Sequence, residues 1–143
     1  MAAPSNLAGQ RWLPYLFLLW TLIGCAAFIM QSTQDLDALA RTDPYQAGIW
    51  VAMPLWVWLC YGIAVLAGML GALAMVLRRR IAVVFSLISL IAVLLQFGHT
   101  FLGTDILQVR GFVAAAIFPI VIVLLSAAQL CYAHLLQRRG HLR

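Results

Sequence analysis

The side chains most able to do chemistry form a polar row in an otherwise apolar stretch of the chain. They recur at helical spacings of three, four and seven, with Val93 completing one helix face: Ser86, Ser89, Gln96, Thr100 and Gly103. His99 lies beside one end of this polar row, and the next apolar stretch contains Ser126 and Gln129. Polar side chains in a membrane helix face protein or a water-filled cavity, because lipid leaves them without partners.

Two interpretations of the polar row remain open. The first is a set of hydrogen bonds between helices, worth about 0.6 kcal/mol each. The second is a hydrated pocket, open at its outer end through Gln96, His99 and Thr100. The residues of this predicted polar pocket are Ser89, Gln96, His99, Thr100 and Gln129.

Several other chemistries are excluded by the positions of the titratable residues. His99 lies about 28 Å along a helix from Arg80, whereas His134 lies only about 6 Å from Arg138. The two histidines are therefore near opposite membrane faces, which excludes a bis-histidine haem within one subunit. No Asp or Glu occurs inside an apolar run, so export coupled to a buried carboxylate is not expected.

The remaining reactive side chains form no recognisable catalytic or metal-binding motif. Cys25, Cys60 and Cys131 stand alone in apolar surroundings, without a C-x-x-C pair. We find no cluster of metal ligands and no nucleophile with a base beside it. The sequence therefore predicts no catalytic residue, no metal, no cofactor and no enzyme activity.

The polar row is positioned by four long apolar runs, which indicate an all-α membrane protein. The chain has 143 residues, of which 65% are hydrophobic and 9% charged. The runs cover about 12–30, 54–77, 81–102 and 112–136, each near the roughly 20 residues needed to cross a bilayer. We predict a single integral membrane domain over residues 1–143, folded as a four-helix bundle.

Arginine positions choose the orientation of these four crossings. With both termini in the cytoplasm, seven of the nine arginines lie inside, and only Arg41 and Arg110 lie outside. This distribution is the positive-inside pattern, so we predict an N-in, C-in topology. The net charge of +5 is confined to the membrane edges, which indicates the lipid bilayer rather than nucleic acid as the partner.

The first outer segment, residues 31–53, carries signals for short helices. Asp43-Pro44 is typical of a helix start, with a capping carboxylate followed by proline at the first helical position. We expect a short interfacial helix behind it, which Pro54 ends before the second span. Ser32 is expected to cap an earlier turn, and the second outer loop, 103–111, is expected to pair Asp105 with Arg110.

The second span carries small residues on one face: Ala64, Gly68, Gly71 and Ala72. Small side chains let helix backbones approach closely in lipid, where apolar contact brings no gain from excluding water. We predict that this small-residue face packs against another helix. Whether that helix belongs to the same chain or to a partner is left open by the sequence.

Several short motifs resemble a mostly uncharacterised family of small four-helix proteobacterial membrane proteins, some of which are labelled "sugar transporter". The resemblance rests on Leu18–Gly24, Asp43-Pro44, Met53–Trp56, the glycines of the second span, and Arg78–Val83. It implies a bacterial inner-membrane location and an association with sugar transport. The family's helix-one Asn and Asp-Tyr correspond here to Thr21, Ala27 and Phe28, so a buried carboxylate of relatives is missing.

Two functions follow as hypotheses. One is a carrier for a small neutral, sugar-like solute, which would need a homo-oligomer because four helices enclose little volume. The other is an accessory subunit that docks another membrane protein through the small-residue face. The polar row and the resemblance favour the first hypothesis, and the small-residue face favours the second.

Overall fold

The computed structural model describes residues 11–143, and this part of the chain is helical without strands. Its six helices are α1 Leu13–Ser32, α2 Leu36–Thr42, α3 Pro44–Ala52, α4 Leu55–Val76, α5 Ile81–Gly103 and α6 Ile106–Arg138. Helices α1, α4, α5 and α6 are long and apolar enough to cross a membrane. The all-α prediction and its four apolar spans are confirmed, and four such helices are consistent with a small integral membrane protein.

Prolines and capping carboxylates set the helix starts between α1 and α4. Asp43 caps α3, because its carboxylate accepts a hydrogen bond from the Gln46 N–H at 3.1 Å, and Pro44 is the first helical residue. Pro54 precedes α4 with an extended backbone, as predicted.

The expected cap at Ser32 is wrong. The α2 cap is Asp35, which accepts from the Asp37 and Ala38 N–H groups, while the Ser32 hydroxyl donates back to its own helix.

Helix α6 begins earlier than the sequence predicted. Residues 106–110 are already helical, so the expected loop over 103–111 shrinks to little more than Thr104 and Asp105. Gly111 then breaks the helix with a φ of 78° and a ψ of 157°, a conformation open mainly to glycine. The sequence did not predict this short helical turn at 106–110, which leads through the Gly111 kink into the fourth span.

Helix α4 is the innermost of the four long helices. In its most apolar window 39% of the residues are buried, compared with 11% for α1 and α6. It packs along α1 and α5 and meets α6 over a shorter length. The small residues of α4 permit this central position, because they let α1, α5 and α6 approach the α4 backbone closely. The large aliphatic side chains of α1 and α6 remain exposed, as expected for helices that face lipid.

The two ends of the protein differ in charge. We call the end that carries Arg11, Arg78–Arg80 and Arg138–Arg143 the basic end. We call the opposite end, formed by α2, α3 and the α5–α6 turn, the loop end. All four carboxylate side chains belong to the loop end: Asp35, Asp37, Asp43 and Asp105.

Candidate functional site

Part of the polar row lies in a buried hydrogen-bond network that joins three helices. The Ser89 hydroxyl donates to the Ala64 carbonyl of α4 at 2.7 Å. The Gln129 amide of α6 donates to the Gly68 carbonyl at 2.9 Å and to the Ser86 hydroxyl at 3.2 Å. Ser86 is 1% exposed and Gln129 is 3% exposed. These side chains are therefore tied to backbone and to each other, and do not face an open cavity.

The network depends on the glycines of the small-residue face. A Cβ atom added at Gly71 would lie 2.8 Å from the Ser86 hydroxyl and 3.0 Å from the Gln129 amide nitrogen. At Gly68 it would lie 3.0 Å from the Ser89 hydroxyl and 3.3 Å from the Thr21 methyl group. Hydrogen at these positions lets the polar side chains of α5 and α6 reach the α4 backbone without a tight contact.

The small-residue face is covered by helices of the same chain. Ala64, Gly68, Gly71 and Ala72 are all buried, against Thr21 of α1, the serines of α5 and Gln129 of α6. This face therefore offers no free surface for docking a partner protein. The accessory-subunit hypothesis loses the surface on which it was based.

The outer part of the polar row lies elsewhere. His99 and Thr100 are about 15 Å or more beyond Ser89 along α5, and both line a cavity of about 710 Å³ at the loop end. Gln96 lines neither this loop-end cavity nor the buried network, although its backbone carbonyl accepts from the Thr100 hydroxyl at 3.1 Å. The structure therefore does not bring Ser89, Gln96, His99, Thr100 and Gln129 together in one pocket. The row is divided because its inner half is used for helix packing.

Three parts of the chain line the loop-end cavity, which is open to the outside: α3 with the Met53-Pro54 link that follows it, the end of α5, and the turn from α5 into α6. Its polar lining consists of hydroxyl, imidazole, amide and carboxylate groups: Tyr45, His99, Thr100, Thr104, Asp105 and Gln108. Small residues of α3 and the turn leave the space open: Gly48, Ala52 and Gly103. Helix α3 thus forms one wall of the cavity.

A cluster of side chains holds α3 against the α5–α6 turn. The Tyr45 hydroxyl donates to the Asp105 carboxylate at 2.7 Å. The Arg110 guanidinium pairs with Asp43 and lies 5.5 Å from the centre of the Tyr45 ring. The sequence predicted an Asp105–Arg110 pair instead. It missed both contacts because the position of α3 over the turn is a tertiary feature.

This cluster shifts the ionisation of two of its members. The pKa of the Asp43 carboxyl is lowered, first by the backbone hydrogen bond from Gln46 and then by the hydrogen bond from Arg110. The pKa of the Tyr45 hydroxyl is raised, first by desolvation and then by its hydrogen bond to Asp105. Near neutral pH, Asp43 is therefore a carboxylate and Tyr45 a neutral donor, which is the state that holds the α3 wall in place.

His99 is the least satisfied polar side chain in the loop-end cavity. Its ring meets Trp56 edge to face, with centroids 5.2 Å apart, and a Cβ added at Gly103 would lie 3.2 Å from its Nε2 atom. Its Nδ1 atom is buried and lacks a hydrogen-bond partner within residues 11–143. A buried polar atom without a partner costs about 1–3 kcal/mol.

The arrangement can bind a polar molecule by hydrogen bonds. Within the described part of the chain, no group of three or more His, Cys, Asp or Glu side chains could hold a metal ion. Comparisons of the sequence with protein-family models and curated proteins, and of the fold with solved structures, find no match.

Proposed function

We propose that this protein is a non-enzymatic, multi-pass protein of a bacterial inner membrane. It binds a small neutral, sugar-like solute in its loop-end cavity and transports this solute as a homo-oligomer. The observation that carries the proposal is the cavity of about 710 Å³ with a mixed lining of donors and acceptors. Pockets for small molecules have volumes of about 300–1,000 Å³. A mono- or disaccharide fits this range, and the resemblance to proteins labelled as sugar transporters agrees with it.

The ionisable groups around the cavity favour a neutral solute. Asp105 already accepts a hydrogen bond from Tyr45, and Asp43 is paired with Arg110. Both carboxylates near the cavity therefore have partners inside the protein. The lining hydroxyls of Tyr45, Thr100 and Thr104 also donate inside the protein, but their oxygens keep the capacity to accept hydrogen bonds. With the Gln108 amide and the His99 ring, they form an uncharged polar lining that suits the hydroxyl groups of a sugar.

The proposed oligomer follows from how tightly one subunit is packed. Between the cavity and the basic end, α4 and α5 pack through a buried cluster of Ala64, Ala92 and Val93. The hydrogen-bond network around Gly68 and Gly71 lies beyond that cluster. A solute that leaves the loop-end cavity therefore meets close packing within the subunit, and a crossing path is proposed at the interface between copies.

We place the basic end in the cytoplasm, with both termini on that side. The support for this orientation is the collection of arginines at one end and of carboxylates at the other. It is tested by labelling an introduced cysteine, Arg79→Cys, in a chain whose native cysteines are changed to serine. Labelling by a membrane-impermeant reagent only after the cells are opened is expected. Labelling of intact spheroplasts from the outside would reverse the topology.

Uptake into proteoliposomes tests the transport proposal. Thr100→Val removes a hydroxyl from the cavity lining while keeping the side-chain shape. The matched control is Thr21→Val, because the Thr21 hydroxyl donates to the Phe17 carbonyl four residues earlier, just as Thr100 donates to Gln96. Thr21 does not line the cavity. We expect slower uptake of a neutral sugar for Thr100→Val alone, and equal rates for the two variants would contradict the proposal.

A further inference from the structure

A second cavity, of about 620 Å³, lies at the basic end of the protein. Four segments of chain form it: the start of α1, the end of α4, the end of α6 and the residues that follow α6. Its lining includes two arginines, one histidine and two tyrosines above an apolar floor: Arg11, Arg78, His141, Tyr15, Tyr132, Met75, Leu136 and Leu142. We call it the basic-end cavity. It is separate from the loop-end cavity and shares no lining residue with it.

The residues after α6 build one wall of this cavity. The Arg143 N–H donates to the Arg78 carbonyl at 2.7 Å, and the Arg80 N–H donates to the Arg143 carbonyl at 3.0 Å. Leu142, the residue before Arg143, is only 1% exposed and packs in the same buried cluster as Met75 and Leu136. The wall is therefore fixed by backbone hydrogen bonds and apolar packing, and the cavity is a built feature of the fold.

Positive charge in the basic-end cavity is not neutralised by the protein's own acidic side chains. All four carboxylate side chains lie at the loop end. Within residues 11–143 the one salt bridge joins Arg110 to Asp43, so Arg11 and Arg78 have no acidic side-chain partner. Guanidinium groups bind phosphate through paired, charge-assisted hydrogen bonds. Arg11 and Arg78 therefore supply the kind of donor group that binds phosphate.

We propose that the basic-end cavity binds the phosphate of an anionic phospholipid headgroup. The cavity lies where α1, α4 and α6 reach one end of the four spans, which is the level of lipid headgroups. Tyr15 is 61% exposed at its rim, as expected for an aromatic side chain in the membrane interface. The apolar floor below the arginines matches the amphipathic character of a lipid better than that of a free inorganic phosphate ion. This inference does not depend on the proposed transport function.

The test is a lipid titration of the purified, intact protein in neutral detergent, read by native mass spectrometry. Phosphatidylglycerol and phosphatidylcholine with the same acyl chains are compared. The variants are Arg11→Gln and Arg78→Gln. The matched control is Arg139→Gln, which removes one charge from the same end but does not line the cavity. All three side chains are exposed, so the variants are expected to fold, and their thermal unfolding is measured alongside.

We expect phosphatidylglycerol to bind about tenfold more tightly than phosphatidylcholine. Arg11→Gln and Arg78→Gln should each lower phosphatidylglycerol affinity about tenfold, which corresponds to the loss of a charge-assisted hydrogen bond. Arg139→Gln should change it less than about twofold. Equal losses in all three variants would show diffuse attraction without a site. Full displacement of the lipid by millimolar inorganic phosphate would assign the site to the free ion. Equal affinity for phosphatidylglycerol and phosphatidylcholine would also overturn the proposal.

Discussion

Replacing Gly71 by alanine tests the close packing on which the buried network depends. The new methyl group would lie 2.8 Å from the Ser86 hydroxyl, 3.0 Å from the Gln129 amide nitrogen and 3.1 Å from the Ser86 backbone nitrogen. A hydroxyl can rotate away, but the backbone nitrogen cannot move without shifting α5. Relief of the clash therefore requires α4 and α5 to separate.

The expected size of the effect is a balance of three contributions. Overpacking costs about 1–3 kcal/mol, and a broken Gln129–Ser86 hydrogen bond costs about 0.6 kcal/mol more. Alanine in place of glycine within a helix contributes about 1 kcal/mol in the opposite direction. The net prediction for Gly71→Ala is a decrease of about 0.5–2.5 kcal/mol in the free energy of unfolding, from the sum of these contributions.

Gly98 provides a matched control for the same substitution. It lies within α5, and a Cβ added there meets nothing within 4 Å. Gly98→Ala should therefore increase the free energy of unfolding by about 0.5–1 kcal/mol. Both variants are unfolded in mixed detergent micelles and followed by circular dichroism. If Gly71→Ala were as stable as Gly98→Ala, the packing described around α4 would be incorrect.

Three further predictions concern single side chains. Gln129→Leu removes two hydrogen bonds, one to α4 and one to α5. It should lower the free energy of unfolding in micelles by about 1 kcal/mol. An unchanged free energy of unfolding would mean that the network does not stabilise the fold. Arg78 has a φ of 56°, a backbone conformation that glycine adopts more readily than alanine. Arg78→Gly should therefore be more stable than Arg78→Ala by about 1 kcal/mol. The reverse order of stability in thermal unfolding would contradict that backbone conformation. The pKa of Asp43 is lowered from 3.8, so its stabilising effect is complete at neutral pH and is lost as the pH falls through the folded-state pKa. Asp43→Ala should accordingly speed amide hydrogen exchange in residues 44–52 at neutral pH, and unchanged exchange would show that the cap and ion pair do not hold α3.

Local signals explain which parts of the fold the sequence could predict. Pro44 and Pro54 mark helix starts by their fixed φ, and arginines mark the ends of the long helices because charge is excluded from the apolar interior. Ser32 was assigned a cap that belongs to Asp35, because both residues are good caps a few positions apart. The early start of α6 was hidden because Gly111 looks the same in sequence whether it ends a loop or kinks a helix.

The candidate site was predicted less well, for a physical reason. Helical spacing shows which residues share a face, but not what covers that face at each depth. The polar row continues along α5, yet Ser89 faces α4 while His99 and Thr100 line a cavity that α3 also lines. Tyr45 was missed as a cavity residue because its contact with Asp105 joins residues sixty positions apart. No local sequence pattern indicates a contact between residues so far apart in the chain.

The most direct test of the proposed function is equilibrium binding of a panel of neutral mono- and disaccharides to the purified protein. Gly48 lines the loop-end cavity, and a Cβ there meets nothing within 4 Å, so Gly48→Leu should add a bulky apolar side chain to the cavity wall without disturbing the fold. Gly98→Leu is the matched control, since Gly98 also has open space but does not line the cavity. We predict saturable binding of at least one sugar to the wild type and to Gly98→Leu, weakened at least about tenfold in Gly48→Leu. Absence of saturable binding to the wild type, or undiminished binding to Gly48→Leu, would contradict the account.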